Sequence, residues 1–121
     1  MLKKLRTVVY HVADIAAAKE WYIQVTGIQP YFDEPFYVGY NIGGYELGLQ
    51  PEENPIQDKA ESVVAYWGVE NINSEYKRLL DLGALEYQSP QNVGGDIIVA
   101  TLKDPWGNII GLIYNPQFEL P

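Results

Sequence analysis

The chain has no cysteine, one histidine and one methionine among its 121 residues. Without cysteine it can form no disulfide, no thiolate metal site and no cysteine nucleophile. With His11 alone it cannot supply two imidazoles to a metal from one chain, and pairing two copies of His11 would place them at a symmetry axis. Basic residues are scarce as well, 8 Lys and Arg against 16 Asp and Glu, for a net charge of -8. That balance argues against nucleic-acid binding, which draws much of its affinity from cations that neutralise phosphate. It suits a cationic ligand and equally suits plain solubility. Long apolar runs are missing too. No stretch approaches a membrane span, and the run after Lys3, Lys4 and Arg6 ends at Asp14, too soon for a typical signal-peptide core. The expectation is a cytoplasmic protein without membrane partners. At this length it is one domain, spanning 1–121, with a single core.

What the sequence does contain is the same short unit twice, from about Arg6 to Pro51 and from about Val63 to Pro116. Thr7 to Val12 reads as a strand, followed by Asp14, a helix-period segment and Gly27. Val64 to Val69 is followed by Asn71, a second helix-period segment and Gly83. Val12 and Val69, Asp14 and Asn71, and Ile15 and Ile72 share one offset. Each copy closes on a polar residue and proline, Gln50-Pro51 and Asn115-Pro116.

The local signals agree. Asp14 and Asn71 are N-caps, whose side-chain oxygens accept from free amides of the first turn. Ile15, Ala18, Tyr22 and Val25 share one helical face, as do Ile72, Tyr76, Leu79 and Leu82. Gly27 and Gly83 stop the helices. In the first copy, strands are expected at Tyr31-Phe32, Phe36 to Ile42 and Tyr45 to Leu49, with a turn at Asp33-Glu34-Pro35 and a Gly43-Gly44 hairpin. In the second they are expected at Leu85 to Gln88, Asp96 to Leu102 and Ile109 to Tyr114, with turns at Pro90 to Gly95 and at Asp104 to Asn108. Each unit is then β-α-β-β-β, module one about 4–51 and module two about 62–116, with an acidic, proline-containing linker at about 52–61.

Three motifs, Val12-Ala13-Asp14-Ile15, Trp21-Tyr22 followed by Gly27, and Asp104-Pro105-Trp106-Gly107-Asn108, together resemble the vicinal oxygen chelate superfamily of glyoxalases, extradiol dioxygenases, and fosfomycin and bleomycin resistance proteins. The resemblance implies an α+β fold in which two tandem β-α-β-β-β modules form a curved mixed sheet around a cup, helices outside, commonly as a homodimer. It also implies a divalent metal held by His and Glu, acting as a Lewis acid on vicinal oxygens. The ligand positions fall on Thr7, Glu46, Val64 and Gly111, of which only Glu46 keeps a ligating side chain. The chain thus reads as a divergent member with no metal and no cofactor.

Strand alternation then predicts the lining. If Thr7 and Val64 face inward, so do Val9, His11, Tyr66 and Gly68, with Glu46 and Gly48 from the strand after Gly43-Gly44. Two readings of His11 and Glu46 stand open. Either burial raises the Glu46 pKa so that it serves as a catalytic general base with His11 as partner, or His11 is bonded at a strand end and Glu46 is satisfied by Tyr or Thr hydroxyls. Tyr31, Phe32, Phe36, Tyr37, Tyr40, Tyr45, Tyr66 and Trp106 lie on strands or turns around the expected cup, and aromatic faces beside a carboxylate suit a planar or cationic organic molecule. They equally suit a core or a dimer interface.

The functional expectation is a homodimeric, metal-independent binding protein for a small organic molecule, as in bleomycin resistance proteins, with Thr7, Val9, Tyr37, Tyr40, Tyr66 and Trp106 lining the site. The alternatives are a lyase or isomerase using Glu46 as base, a metal-dependent glyoxalase- or dioxygenase-type enzyme, and a regulatory subunit reaching a neighbour through Gln117 to Pro121.

Overall fold

A computed structural model of the chain describes residues 1, 3, 5–52 and 64–117. The expected linker at 52–61 lies almost wholly outside the described residues, as does the tail beyond Gln117. The chain divides into two compact units, Met1–Ile56 and Gln57–Pro121.

In the first unit, β1 (Thr7–Val12) leads into α1 (Ile15–Thr26), then β2 (Phe32–Glu34), β3 (Tyr37–Ile42) and β4 (Tyr45–Pro51). The second repeats this with β5 (Ala65–Gly68), α2 (Ile72–Asp81), β6 (Leu85–Asn92), β7 (Ile98–Lys103) and β8 (Ile109–Tyr114). The strands form two sheets of four, ordered β1-β4-β3-β2 and β5-β8-β7-β6. Each is mixed. The first strand of a unit pairs in parallel with its last, and the remaining pairs are antiparallel.

The helix termini follow their caps. Asp14 Oδ1 accepts from the Ala17 amide at 3.1 Å, and Gly27 closes α1 at φ 72°. Asn71 Oδ1 accepts from the Ser74 amide at 3.1 Å. Ala18 and Tyr22 are buried on α1 as expected, joined by Trp21, whose ring meets Tyr22 edge-on. On α2 the buried residues are Ile72, Tyr76 and Leu79.

Alternation sorts the sheet residues. Tyr10, Val12, Val38, Tyr40, Leu47 and Leu49 form the buried side of the first sheet, and Ala100, Leu102, Ile110 and Leu112 that of the second. Such apolar burial contributes about 25 cal/mol per Å² removed from water.

Several boundaries depart from the sequence reading, two of them at turns. Asp33 and Glu34 belong to β2, and the turn tightens to Pro35 and Phe36. β6 runs on through Pro90 to Asn92, with register shifts along the way. It is an edge strand, where a proline forfeits no ladder hydrogen bond.

Candidate functional site

Glu46 lies in β4, directly opposite Thr7 of β1 and Asn41 of β3. Its side chain points to the face of the sheet away from the buried layer, as the burial of its neighbour Leu47 requires. Thr7 Oγ1 donates to Glu46 Oε1 at 3.1 Å, and the Tyr31 hydroxyl donates to Oε2. The Tyr37 hydroxyl, seated over Gly48, lies on the same face and acts on the same carboxylate. Two hydroxyl donors and a third hydroxyl nearby surround one acid.

Two glycines make this convergence possible. Gly39 of β3 and Gly48 of β4 oppose each other in the register. A Cβ on Gly39 would stand 2.8 Å from Glu46 Oε2 and 3.0 Å from Tyr31 Cε1. A Cβ on Gly48 would overlap the Tyr37 ring, 2.7 Å from Cζ and 2.9 Å from Cε1. Glycine within a strand marks a close approach, and here what approaches is the site itself.

Hydrogen bonding decides the protonation state. The Tyr31 hydroxyl, with help from Tyr37, Thr7 and the charge of Arg6, holds Glu46 below the usual glutamate range, although desolvation pulls the other way. Donors that favour the charged form outweigh partial burial. Of the two readings open for Glu46, these bonds favour the one in which Tyr and Thr hydroxyls satisfy the carboxylate over the one in which burial raises its pKa. The phenols respond in the opposite sense. Tyr31 is raised, mainly by its bond to Glu46, and Tyr37 is pushed up to about 12, mainly by desolvation and then by Glu46.

The register places the other expected residues. Val9 opposes Gly48 on the Glu46 face and stays partly exposed. His11 opposes Gln50, four residues beyond Thr7. That is about 13 Å along the strand at 3.3 Å per residue, so the sheet does not bring His11 beside the carboxylate. Tyr40 turns to the buried side, fully enclosed, and its hydroxyl donates to the Lys19 carbonyl at 2.7 Å. It ties β3 to α1 and does not share the Glu46 face. Phe32 and Glu34, opposite Gly39 and Tyr37, lie on that face by alternation, and the Phe32 ring sits 6.1 Å from that of Tyr37.

In the second unit Tyr66 opposes Gly111, and its ring covers that glycine, with Cδ1 2.6 Å from where a Cβ would be. Trp106 lies in the β7–β8 turn, half-buried. Asp104, fully buried, organises that turn: Oδ1 accepts from the Trp106 and Asn108 amides at 2.9 and 2.8 Å, and Oδ2 accepts from Asn108 Nδ2 at 2.9 Å. The Asp104-Pro105-Trp106-Gly107-Asn108 motif is thus a built turn.

Sequence reasoning grouped Tyr31 with the aromatics but missed it as the partner of Glu46. The signal was the pair of in-strand glycines, which announce that something large must pass over the sheet.

The residues at the positions of a superfamily metal site do not fit a divalent ion. Thr7, Val64 and Gly111 offer no strong ligand, and Glu46 already accepts from the Thr7 and Tyr31 hydroxyls. The register sharpens this. Val9 and Tyr66, each three residues before Val12 and Val69, oppose Gly48 and Gly111, so Gly48 and not Glu46 is the counterpart of Gly111. Among the described residues no group of three or more His, Cys, Asp or Glu side chains is placed to hold a metal.

Comparisons with known proteins agree on the fold. A glyoxalase-related enzyme from Fulvimarina pelagi matches with a TM-score of 0.81 at 17% identity, over 99% of this chain and 94% of that one. The fosfomycin resistance protein of Listeria monocytogenes matches at 0.79 and 12% identity, over 97% of each chain. A glyoxalase/bleomycin resistance protein/dioxygenase family enzyme from Burkholderia phytofirmans matches at 0.77 and 19%, over 93% of this chain and 98% of that one. No curated protein matches in sequence. The sequence profile of the glyoxalase/bleomycin resistance protein/dioxygenase superfamily matches residues 4–112, and with the tandem β-α-β-β-β units this makes the chain a member of that superfamily.

Proposed function

We propose that the protein is a metal-independent, homodimeric binding protein that holds a planar or cationic organic molecule against the Glu46 face of the first sheet. The observation that supports this reading is the ionised Glu46 carboxylate, fixed by Thr7, Tyr31 and Tyr37 beside the Phe32 and Tyr37 rings. A fixed negative charge among aromatic faces attracts an organic cation through both Coulomb and cation–π terms. The same hydrogen bonds make Glu46 a weaker base, which speaks for binding over the alternative of a lyase or isomerase that uses it to abstract a proton. Among the described residues no helix is long and apolar enough to cross a bilayer.

Native mass spectrometry of the purified protein, with metal analysis of the same sample, tests the proposal. A metal-free dimer carrying a small-molecule adduct is the expected result. One stoichiometric divalent ion per chain overturns it. Once a ligand is in hand, Glu46→Gln is expected to weaken its binding, and a turnover by the wild type that this variant abolishes at saturating ligand would favour the general-base alternative.

A further inference from the structure

We infer that the Tyr31 hydroxyl is an internal stand-in for a ligand's N–H donor: it occupies Glu46 Oε2 in the free protein and gives way when an organic ammonium binds. Tyr31 then sets the preference for cations that carry an N–H bond. The inference rests on the ligand-binding reading above and goes further by assigning the exchange.

The three hydroxyls around Glu46 differ in how firmly they are held. Thr7 is on β1, locked opposite Glu46 by the parallel ladder. Tyr37 is on β3, half-buried, with its ring pressed over Gly48. Tyr31 stands outside the strands at the bend before β2 and is 64% exposed. Its amide donates to the Gly39 carbonyl at 2.9 Å, which anchors the backbone, and its ring lies over Gly39 with its outer face left to solvent. Rotation about two side-chain torsions carries the phenol into water, where its hydroxyl is solvated again.

The vacated carboxylate oxygen dictates what replaces it. An ionised carboxylate accepts hydrogen bonds and donates none. A ligand group that takes the place of the phenol must therefore be a donor, and a charged N–H donor makes the shorter and stronger bond. The surroundings bear on charge: Glu34 and the Phe32 and Tyr37 rings lie on the same sheet face and favour a positive ligand, against the Arg6 charge that already acts on Glu46. A quaternary ammonium can use those rings but cannot replace the hydroxyl, having no N–H to offer. The two kinds of cation are thereby distinguished by one phenol.

The test titrates the full chain and its Tyr31→Phe variant with benzylammonium and with benzyltrimethylammonium, by calorimetry or amide NMR. Removing the competing hydroxyl is expected to tighten benzylammonium by roughly three- to tenfold, the scale of one net hydrogen bond. Benzyltrimethylammonium is expected to shift by less than about twofold on the same scale. Tyr31→Leu, which also lacks the hydroxyl, checks the direction with a different side chain at this exposed position. If the wild type binds both cations and Glu46→Gln weakens them, but Tyr31→Phe leaves benzylammonium unchanged or weaker, the site reading stands and the exchange is overturned. If neither cation binds the wild type or the variant, both the cationic-ligand reading and the exchange are overturned.

Discussion

Replacing Gly48 by alanine is the sharpest probe of how the site is built. The added methyl would enter the space of the Tyr37 ring, within 2.7 Å of Cζ and 2.9 Å of Cε1, well inside carbon–carbon contact. The opposing residue across the ladder, Gly39, sits beneath the Glu46 carboxylate and the Tyr31 ring, so the ring cannot slide that way without disturbing both. Tyr37 must swing off the sheet. Overpacking of this kind costs about 1–3 kcal/mol. Losing the Tyr37 hydroxyl beside Glu46 adds a smaller amount, since water reaches the half-buried carboxylate. A total of roughly 2–3 kcal/mol, with a urea m-value of about 1–3 kcal/mol/M, lowers the unfolding midpoint by about 0.7–3 M. The control is Gly68→Ala, whose added methyl meets nothing within 4 Å. That change is expected to be neutral or slightly stabilising, because glycine disfavours a strand by about 0.5–1 kcal/mol relative to alanine. The cause is isolated by a double-mutant cycle. In a Tyr37→Ala background the ring is gone, and Gly48→Ala is expected to cost less by more than about 1 kcal/mol. If Gly48→Ala unfolds at the wild-type midpoint, or costs the same with and without Tyr37, the steric account of the site is wrong.

Other consequences are equally open to measurement. Asp104→Ala strips the acceptors from the Trp106 and Asn108 amides in a buried turn and is expected to destabilise the chain by about 2–4 kcal/mol in urea unfolding. Tyr40→Phe removes one hydrogen bond to the Lys19 carbonyl and is expected to cost about 1–2 kcal/mol, while leaving cation affinity at Glu46 unchanged by calorimetry. Because the folded-state pKa of Glu46 is depressed, its stabilising contribution is present above the ordinary glutamate pKa, about 4.3, and disappears as pH falls through the lower folded value. Wild type is thus expected to lose stability more steeply than Glu46→Gln below that point, and parallel acid-unfolding curves would contradict the assignment. At the alkaline end Tyr37 and Tyr76 ionise only near 12, both mainly through desolvation. An absorbance titration is expected to show a late tyrosine class that loses one member in Tyr37→Phe, with stability falling as pH rises from about 10 towards that value.

The duplication, the helices and their caps were legible in the sequence because they are local facts. Asp14 and Asn71 reach amides three residues away, and Gly27 needs only its own backbone to stop a helix. Strand alternation likewise found the Glu46 face, since a period of two survives any register. Legibility failed where the answer depended on another strand. The reach of β6 through Pro90 follows from its place at an edge, which composition does not encode. Tyr40 sits on the buried side because it opposes Leu47, and its residue type would have served either face. Whether burial or hydrogen bonding governs Glu46 turns on Tyr31, fifteen positions away, arriving over Gly39.

The glycines at matching positions of the two units, Gly48 under the Tyr37 ring and Gly111 under the Tyr66 ring, restrict what either position can become. Each unit covers its glycine with a tyrosine from a different neighbouring strand, β3 in one case and β5 in the other. Any side chain introduced at either glycine would collide with the ring already seated there, so the tyrosine has to move first, at a loss of packing. Each half of the chain therefore ties one glycine to one tyrosine, and the two residues of a pair can change only together.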